Sequence, residues 1–185
     1  MDTRERLIAA CLDLVRAKGL GQVTMEELAA RAGMSKRTVY RYFASKEEVI
    51  EKAVEALILR IASQAEEIIK GEEDPRKAVT EILRYLTRQA SSVITRQSLD
   101  DLRKHYPFLW QKIDRLRTER LEWLVRELVR CSPKEEVKSI DPRVVAAAMI
   151  ASVQAVVNPD FIVDNNLTFE DTTTQLVNLF LLALF

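Results

Sequence analysis

The sequence predicts an all-α chain, and three observations carry that expectation. Every glycine (Gly19, Gly21, Gly33, Gly71) and every proline (Pro75, Pro107, Pro133, Pro142, Pro159) can sit at a helix end or in a loop. Helix-start signatures recur along the chain, some as S/T/D-x-x-E/D pairs and others as Asp-Pro pairs. The period-two alternation that marks a strand never persists. Helices are expected at about 3–18, 24–31, 35–42, 45–70, 75–94, 98–105, 107–131, 141–157 and 168–184, nine in all.

Each element has its own local reason. Asp2 and Glu5 form a cap pair for the first helix, where Cys11 shares an apolar face with Leu7, Leu14 and Val15. Thr24 with Glu27, and Ser45 with Glu48, form capping boxes for the second and fourth. Between them Ser35 is an N-cap and Gly33 a C′ residue, with Val23–Leu28 and Met34–Val39 as hydrophobic staples. A short helix, a glycine turn and a second short helix make the outline of a helix-turn-helix. The fourth helix then runs unbroken for roughly 38 Å at 1.5 Å per residue. Asp74-Pro75 and Asp141-Pro142 each place proline at a first helical position.

The last two long helices carry too much apolar surface for one small domain. Residues 144–157, VVAAAMIASVQAVV, are broken only by Ser152 and Gln154, and helix 168–184 opens at Thr168-x-x-Asp171 and ends in LVNLFLLALF. A helix without a polar face must be covered on every side. Packing 141–157 and 168–184 on their symmetry mates would make a homodimer; an intramolecular core is the alternative.

Composition sets limits. The 185 residues are 30% charged and 48% hydrophobic, with zero net charge. Residues 1–46 hold nine Lys/Arg against five Asp/Glu, which leaves nineteen against twenty-three for the rest. That asymmetry divides a basic head, 1–46, from a body, 47–185, and points the head at nucleic acid. No signal peptide, no membrane-spanning run and no metal or redox cysteine spacing is visible, so the expected location is cytoplasmic. No nucleophile–base pair, metal cluster or phosphate loop is present, so neither an enzyme nor a cofactor is expected. Asp101 and His105 have i,i+4 spacing, but two ligands do not make a metal site.

Helix 35–42 is chemically divided. Val39 and Phe43 share one face, while Arg37 and Arg41 fall opposite, flanked by Thr38 and Tyr40. From Arg31 to Lys46 there are five basic residues (Arg31, Lys36, Arg37, Arg41, Lys46) and no acidic one. Such a face suits the major groove, where Arg grips guanine in a bidentate fork and Lys neutralises phosphate. On charge alone, a solvated basic helix on an ordinary bundle is an equal alternative.

The runs LIAACLDLVRAKG (7–19), VTMEELAARAGMSKRTVYRYF (23–43) and SKEEVI (45–50) resemble the DNA-binding domain of the TetR family of bacterial transcriptional regulators. The resemblance departs at Val15 and Leu20, where the family more often has aromatics, and at Arg37, where many members have glycine. Beyond residue 50 it rests on length and helical layout. It implies a nine-helix architecture and a homodimer on a palindromic double-stranded operator, released when a small molecule enters the C-terminal domain. It further implies that Thr24 caps and touches phosphate, and that Lys36 and Arg37 face bases. Tyr40 would contact base and backbone, Thr38, Tyr42 and Lys46 would hold phosphates, and Arg41 could reach either.

The effector pocket is faintly marked. Such pockets are mostly apolar with a few placed polar groups. The candidates are Tyr85, Gln89, His105, Trp110, Trp123, Gln154 and Asn158, each of which has a packing or capping role as its plainer alternative. The function expected is a ligand-responsive repressor. The alternative is a DNA-binding protein of the same build with a structural or spatial role and no effector.

Overall fold

The computed structural model describes residues 2–90 and 93–185. Among them are eleven helices and no strands: α1 (Thr3–Lys18), α2 (Met25–Ala32), α3 (Lys36–Tyr42), α4 (Lys46–Gly71), α5 (Pro75–Ala90), α6 (Arg96–His105), α7 (Pro107–Arg130), α8 (Glu135–Lys138), α9 (Pro142–Val156), α10 (Pro159–Asp164) and α11 (Phe169–Leu184).

The caps form as expected, with one variation. Asp2/Glu5 and Thr24/Glu27 are full capping boxes. Gly33 takes the left-handed conformation, φ 64° and ψ 40°, and a Schellman pair closes α2, with Gly33 N–H on Ala30 O and Met34 N–H on Ala29 O. Ser45 accepts from Glu48 N–H at 3.2 Å, whereas the Glu48 carboxylate reaches one residue further back, to Ala44 N–H at 2.6 Å.

Two corrections concern the count. The nine-helix expectation missed α8 and α10, of four and six residues. α10 carries the same start signal as its longer neighbours: the Asn158 side chain accepts from Phe161 N–H at 2.8 Å ahead of Pro159. A helix of one or two turns has no room for the hydrophobic period that marks a longer one. The expected extent of the fifth helix, to 94, overruns: 91 and 92 lie outside the described residues, and Val93 and Ile94 form a turn on Ala90 O.

Two buried clusters hold the chain. The larger gathers Leu7, Cys11, Leu12, Val15 and Leu20 with Leu28, Val39, Phe43, Val49, Ile50 and Leu57, and continues to Val93, Leu102 and Leu109. Val15 and Leu20 are both buried in this core. The smaller joins Val79 of α5, Val125, Leu128 and Val129 of α7, Ala146 and Met149 of α9, and Leu184 of α11. α4 is the common beam, packing on α1, α5 and α7. At 26 residues it spans about 39 Å. No helix among the described residues is long and apolar enough to cross a membrane.

Candidate nucleic-acid interface and cavity

α3 is anchored from beneath and bare above. Val39 and the C-cap residue Phe43 are buried in the larger cluster, which fixes the opposite face toward solvent. Ser35 caps the helix by accepting from Thr38 N–H at 3.1 Å, and its hydroxyl lies 2.9 Å from that of Thr38. Tyr40 and Tyr42 are 48% and 37% exposed. The seven residues span about 10 Å, short enough to lie within a major groove of about 12 Å.

The five cations between Arg31 and Lys46 separate into different states. Arg31 pairs with Asp13 of α1 at 2.9 Å, and Lys36 pairs with Glu26 of α2. The Lys36 ammonium holds the Glu26 carboxyl below its usual range and is itself raised by that carboxylate. Lys36 also lies 5.8 Å from the Tyr40 ring centroid. Arg37 and Arg41 make no ion pair among the described residues; Arg41 lies over the Tyr42 ring at 5.3 Å. The unopposed charge of the surface is therefore Arg37 and Arg41, flanked by two exposed tyrosines.

Thr24 is exposed, and its hydroxyl is engaged twice, accepting from Glu27 N–H at 3.2 Å and donating to Glu27 Oε2 at 2.7 Å. Lys18 also pairs with Glu27, and its hydrogen bond, with that of Thr24, lowers the Glu27 carboxyl. A phosphate at Thr24 would accept the hydroxyl proton in place of Glu27.

Lys46 is half-buried and turned inward. Its ammonium donates to Gly21 O at 2.7 Å, lies 5.9 Å from the Tyr106 ring centroid and faces Cys11 closely enough to offset part of the burial that pushes that thiol up. An ammonium has three donors, so two remain for an approaching phosphate. The other side of Gly21 is held by α6: Gly21 N–H donates to Asp101 Oδ2 at 2.9 Å, and Gln97 Nε2 donates to Asp101 Oδ1 at 3.0 Å. A Cβ at Gly21 would sit 3.0 Å from Asp101 Oδ2, so glycine permits this approach. Asp101 thus serves the α1–α2 loop, not a pair with His105, which is exposed.

Below this junction lies a cavity of about 300 Å³ bounded by α4, α5, α6, α7, α9 and α11. Leu20, next to Gly21 in the α1–α2 loop, and Ser98, Leu99 and Leu102 of α6, the helix that carries Asp101, are part of its lining. Of the expected pocket residues, Trp110, Trp123 and Asn158 line it. Gln154 lies instead on an open cleft beside Asp114, to which it donates at 3.5 Å. Tyr85, Gln89 and His105 lie outside both linings. α5 presents Val79, Ile82, Leu83, Leu86 and Ala90 to the cavity, a stripe of small and branched aliphatics rather than the polar side chains beside it.

Sequence reasoning missed Arg117. It sits on α7 with a side chain 15% exposed, its Nε donating to Asp114 Oδ1 at 2.8 Å and its guanidinium stacked 4.9 Å from the Trp110 ring centroid. Spacing i,i+7 from Trp110 was the available signal, since it puts both on one helix face.

The comparisons with known proteins bear on the head and on the fold of the body. Residues 7–53, which are α1 to α3 and the start of α4, match the family model of bacterial regulatory proteins, tetR family. YvaF of Bacillus subtilis (strain 168), an uncharacterized HTH-type transcriptional regulator, is 26% identical over 175 residues, covering 94% of this chain and 91% of its own. Nucleoid occlusion factor SlmA of Aliivibrio fischeri is 24% identical over 160 residues, 82% of this chain and 80% of its own. Among solved structures, a transcriptional regulator from Rhodococcus sp. Rha1 superposes with a TM-score of 0.66 at 20% identity, over 98% of this chain and 97% of that one. The helix-turn-helix head, residues 7–53, is thus a DNA-binding domain of the tetR family of bacterial regulatory proteins, and the body that carries it has the fold of solved transcriptional regulators.

Proposed function

We propose that the chain is a homodimeric repressor that binds a palindromic operator through α3 and leaves it when a small molecule fills the body cavity. The head, residues 1–46, would read DNA; the body, residues 47–185, would bind effector and dimerise. Arg37 and Lys36 would face base edges, with Lys36 exchanging Glu26 for DNA. Tyr40 would touch base and backbone, Thr24, Thr38, Tyr42 and Lys46 would hold phosphates, and Arg41 would reach either.

The observation that carries this reading is the adjacency of cavity and head. Ser98, Leu99 and Leu102 line the cavity on the same short helix whose Asp101 grips Gly21. A ligand wedged against that face would displace α6, and with it the α1–α2 loop and the start of α4. In a dimer this changes the spacing of the two α3 helices, whose half-sites must lie about 34–36 Å apart or at a multiple. Dimerisation is supported by the apolar surface that one chain leaves bare: Val144 is 59%, Leu179 59% and Leu182 72% exposed, beside the exposed Ala147, Ala148, Ala151 and Ala155 of α9.

The test is selection of bound fragments from random duplex DNA by the full-length protein. An inverted repeat should emerge, and a compound that raises thermal stability should release the protein from it. Recovery of fragments without two-fold symmetry would contradict the dimeric reading.

A second reading is favoured by the SlmA relatives: DNA binding with a spatial role and no effector. Substituting Ala62, on the α4 wall of the cavity, by Phe separates the two. Regulation that loses its small-molecule response supports the first reading; behaviour identical to wild type in the cell supports the second.

A further inference from the structure

The cavity wall is almost wholly aliphatic and aromatic, and the charged side chains on it are Glu66, Arg117 and Arg120. Glu66 and Arg120 lie toward solvent, half-exposed and exposed. Arg117 does not. Its Nε bonds Asp114, but Nη2, although 2.6 Å from the same carboxylate oxygen, is buried and lacks the alignment for a hydrogen bond. Asp114 thus occupies one edge of the guanidinium and leaves the Nη1–Nη2 edge without a hydrogen-bond partner among the described residues. Nη2 is buried without an aligned acceptor although it stands within ion-pair distance of Asp114, so an acceptor placed on the cavity side would complete its hydrogen bonding. Burial also depresses the guanidinium pKa, the direction expected of a cation held in apolar surroundings.

The stacking of Arg117 on Trp110 fixes the plane of the fork, so the free edge has a set orientation. Planar bidentate acceptance is the geometry of a carboxylate. The remainder of the space is lined by Val54, Leu57, Ile61, Leu83, Leu86 and Leu121, which offer carbon and no hydrogen bonds. At roughly 30 Å³ per heavy atom, close to the share of a water in the liquid, the 300 Å³ volume holds about ten.

We propose that the cavity binds an aliphatic monocarboxylate of about eight to ten carbons, with its carboxylate on the free edge of Arg117 and its chain between α4, α5 and α7. This deepens the effector reading above and rests on the cavity being the effector site. Neutral and cationic amphiphiles of equal length lack the complement to Arg117 and bind more weakly.

The experiment is calorimetric titration of the full-length protein with decanoate, 1-decanol and decyltrimethylammonium, each kept below its micellar concentration. It is repeated with Arg117→Met, which keeps the apolar volume, and with Arg117→Lys, which keeps the charge. Decanoate is expected to bind at least tenfold more tightly than the other two. Arg117→Met should abolish that preference while leaving 1-decanol binding unchanged, and Arg117→Lys should restore part of it. Equal binding of decanoate and 1-decanol by wild type, a preference that survives in Arg117→Met, or no binding of decanoate overturns the proposal. Operator release, followed in parallel by fluorescence anisotropy, separates it from the effector reading. Arg117-dependent decanoate binding without release upholds the ligand and removes the effector role. Release by 1-decanol as readily as by decanoate upholds the effector role and removes the ligand class.

Discussion

The backbone N–H of Gly21 donates to Asp101 Oδ2 at 2.9 Å, which ties the loop before the helix-turn-helix to a helix eighty residues away. Asp101 is 8% exposed and also accepts from Gln97. Asp101→Ala therefore leaves two donors without an acceptor. We predict a loss of about 1–3 kcal/mol in urea unfolding, with a fall in Tm of about 2–4 °C per kcal/mol for a chain of this size. Asp101→Asn keeps an acceptor for Gly21 and should retain most of the stability. Gly21→Ala, which drives a Cβ to 3.0 Å from the same carboxylate, should cost about 1–3 kcal/mol by overpacking.

Glu26 restrains the recognition surface. Its ion pair with Lys36 is exposed on both sides, so it adds little to stability but occupies a cation and sets a negative charge beside α3. Glu26→Gln should leave Tm within about 2 °C, since exposed substitutions fall within roughly 0.5 kcal/mol. It should also tighten binding to duplex DNA severalfold and steepen the salt dependence by about one unit. Titration by fluorescence anisotropy at several salt concentrations checks both.

The two thiols should behave oppositely. Cys11 is buried and its pKa is pushed up to about 12 by that burial, against an unfolded value of 9.0; Cys131 is exposed. At pH 8 a disulfide reagent should titrate one thiol per native chain and two after unfolding. Because the folded pKa is the higher one, the folded chain retains the proton longer. The Cys11 contribution is thus constant below about pH 9 and is lost as pH rises toward 12. Cys11→Ala should flatten the alkaline limb of a stability–pH profile.

Leu182 on α11 is the most exposed large apolar side chain among the described residues, at 72%. If α9 and α11 meet their symmetry mates, Leu182→Asp buries a carboxylate in the interface and the protein should sediment as a monomer at micromolar concentration. If the face is bare in solution, the same substitution changes nothing but solubility.

Much of the head was legible because its signals are local. Thr24, Gly33 and Ser35 announce α2 and α3 through caps and a left-handed turn that depend on a few neighbouring residues, and each forms where expected. The charge of the reading face was not local. Glu26 and Asp13, which neutralise Lys36 and Arg31, come from other helices, so a count along residues 31–46 overstated the free charge. The inward turn of Lys46 onto Gly21 O belongs to the same class. In the body, polarity points to Tyr85 and Gln89, yet the face of α5 on the cavity is aliphatic. Arg117 was passed over among the many arginines of α7. Its distinction is burial, which a sequence does not display.

Arg37 tests the central claim most directly. An operator obtained by selection would be titrated with wild type, Arg37→Ala and Lys46→Ala between 50 and 200 mM salt, with every single-base variant of one half-site. The account predicts that Arg37→Ala loses about 1–3 kcal/mol and its preference at one base pair. Lys46→Ala should weaken all sequences alike and flatten the salt slope by about one unit. If both variants match wild type in affinity, base preference and salt slope, α3 and the start of α4 are not the surface that meets DNA.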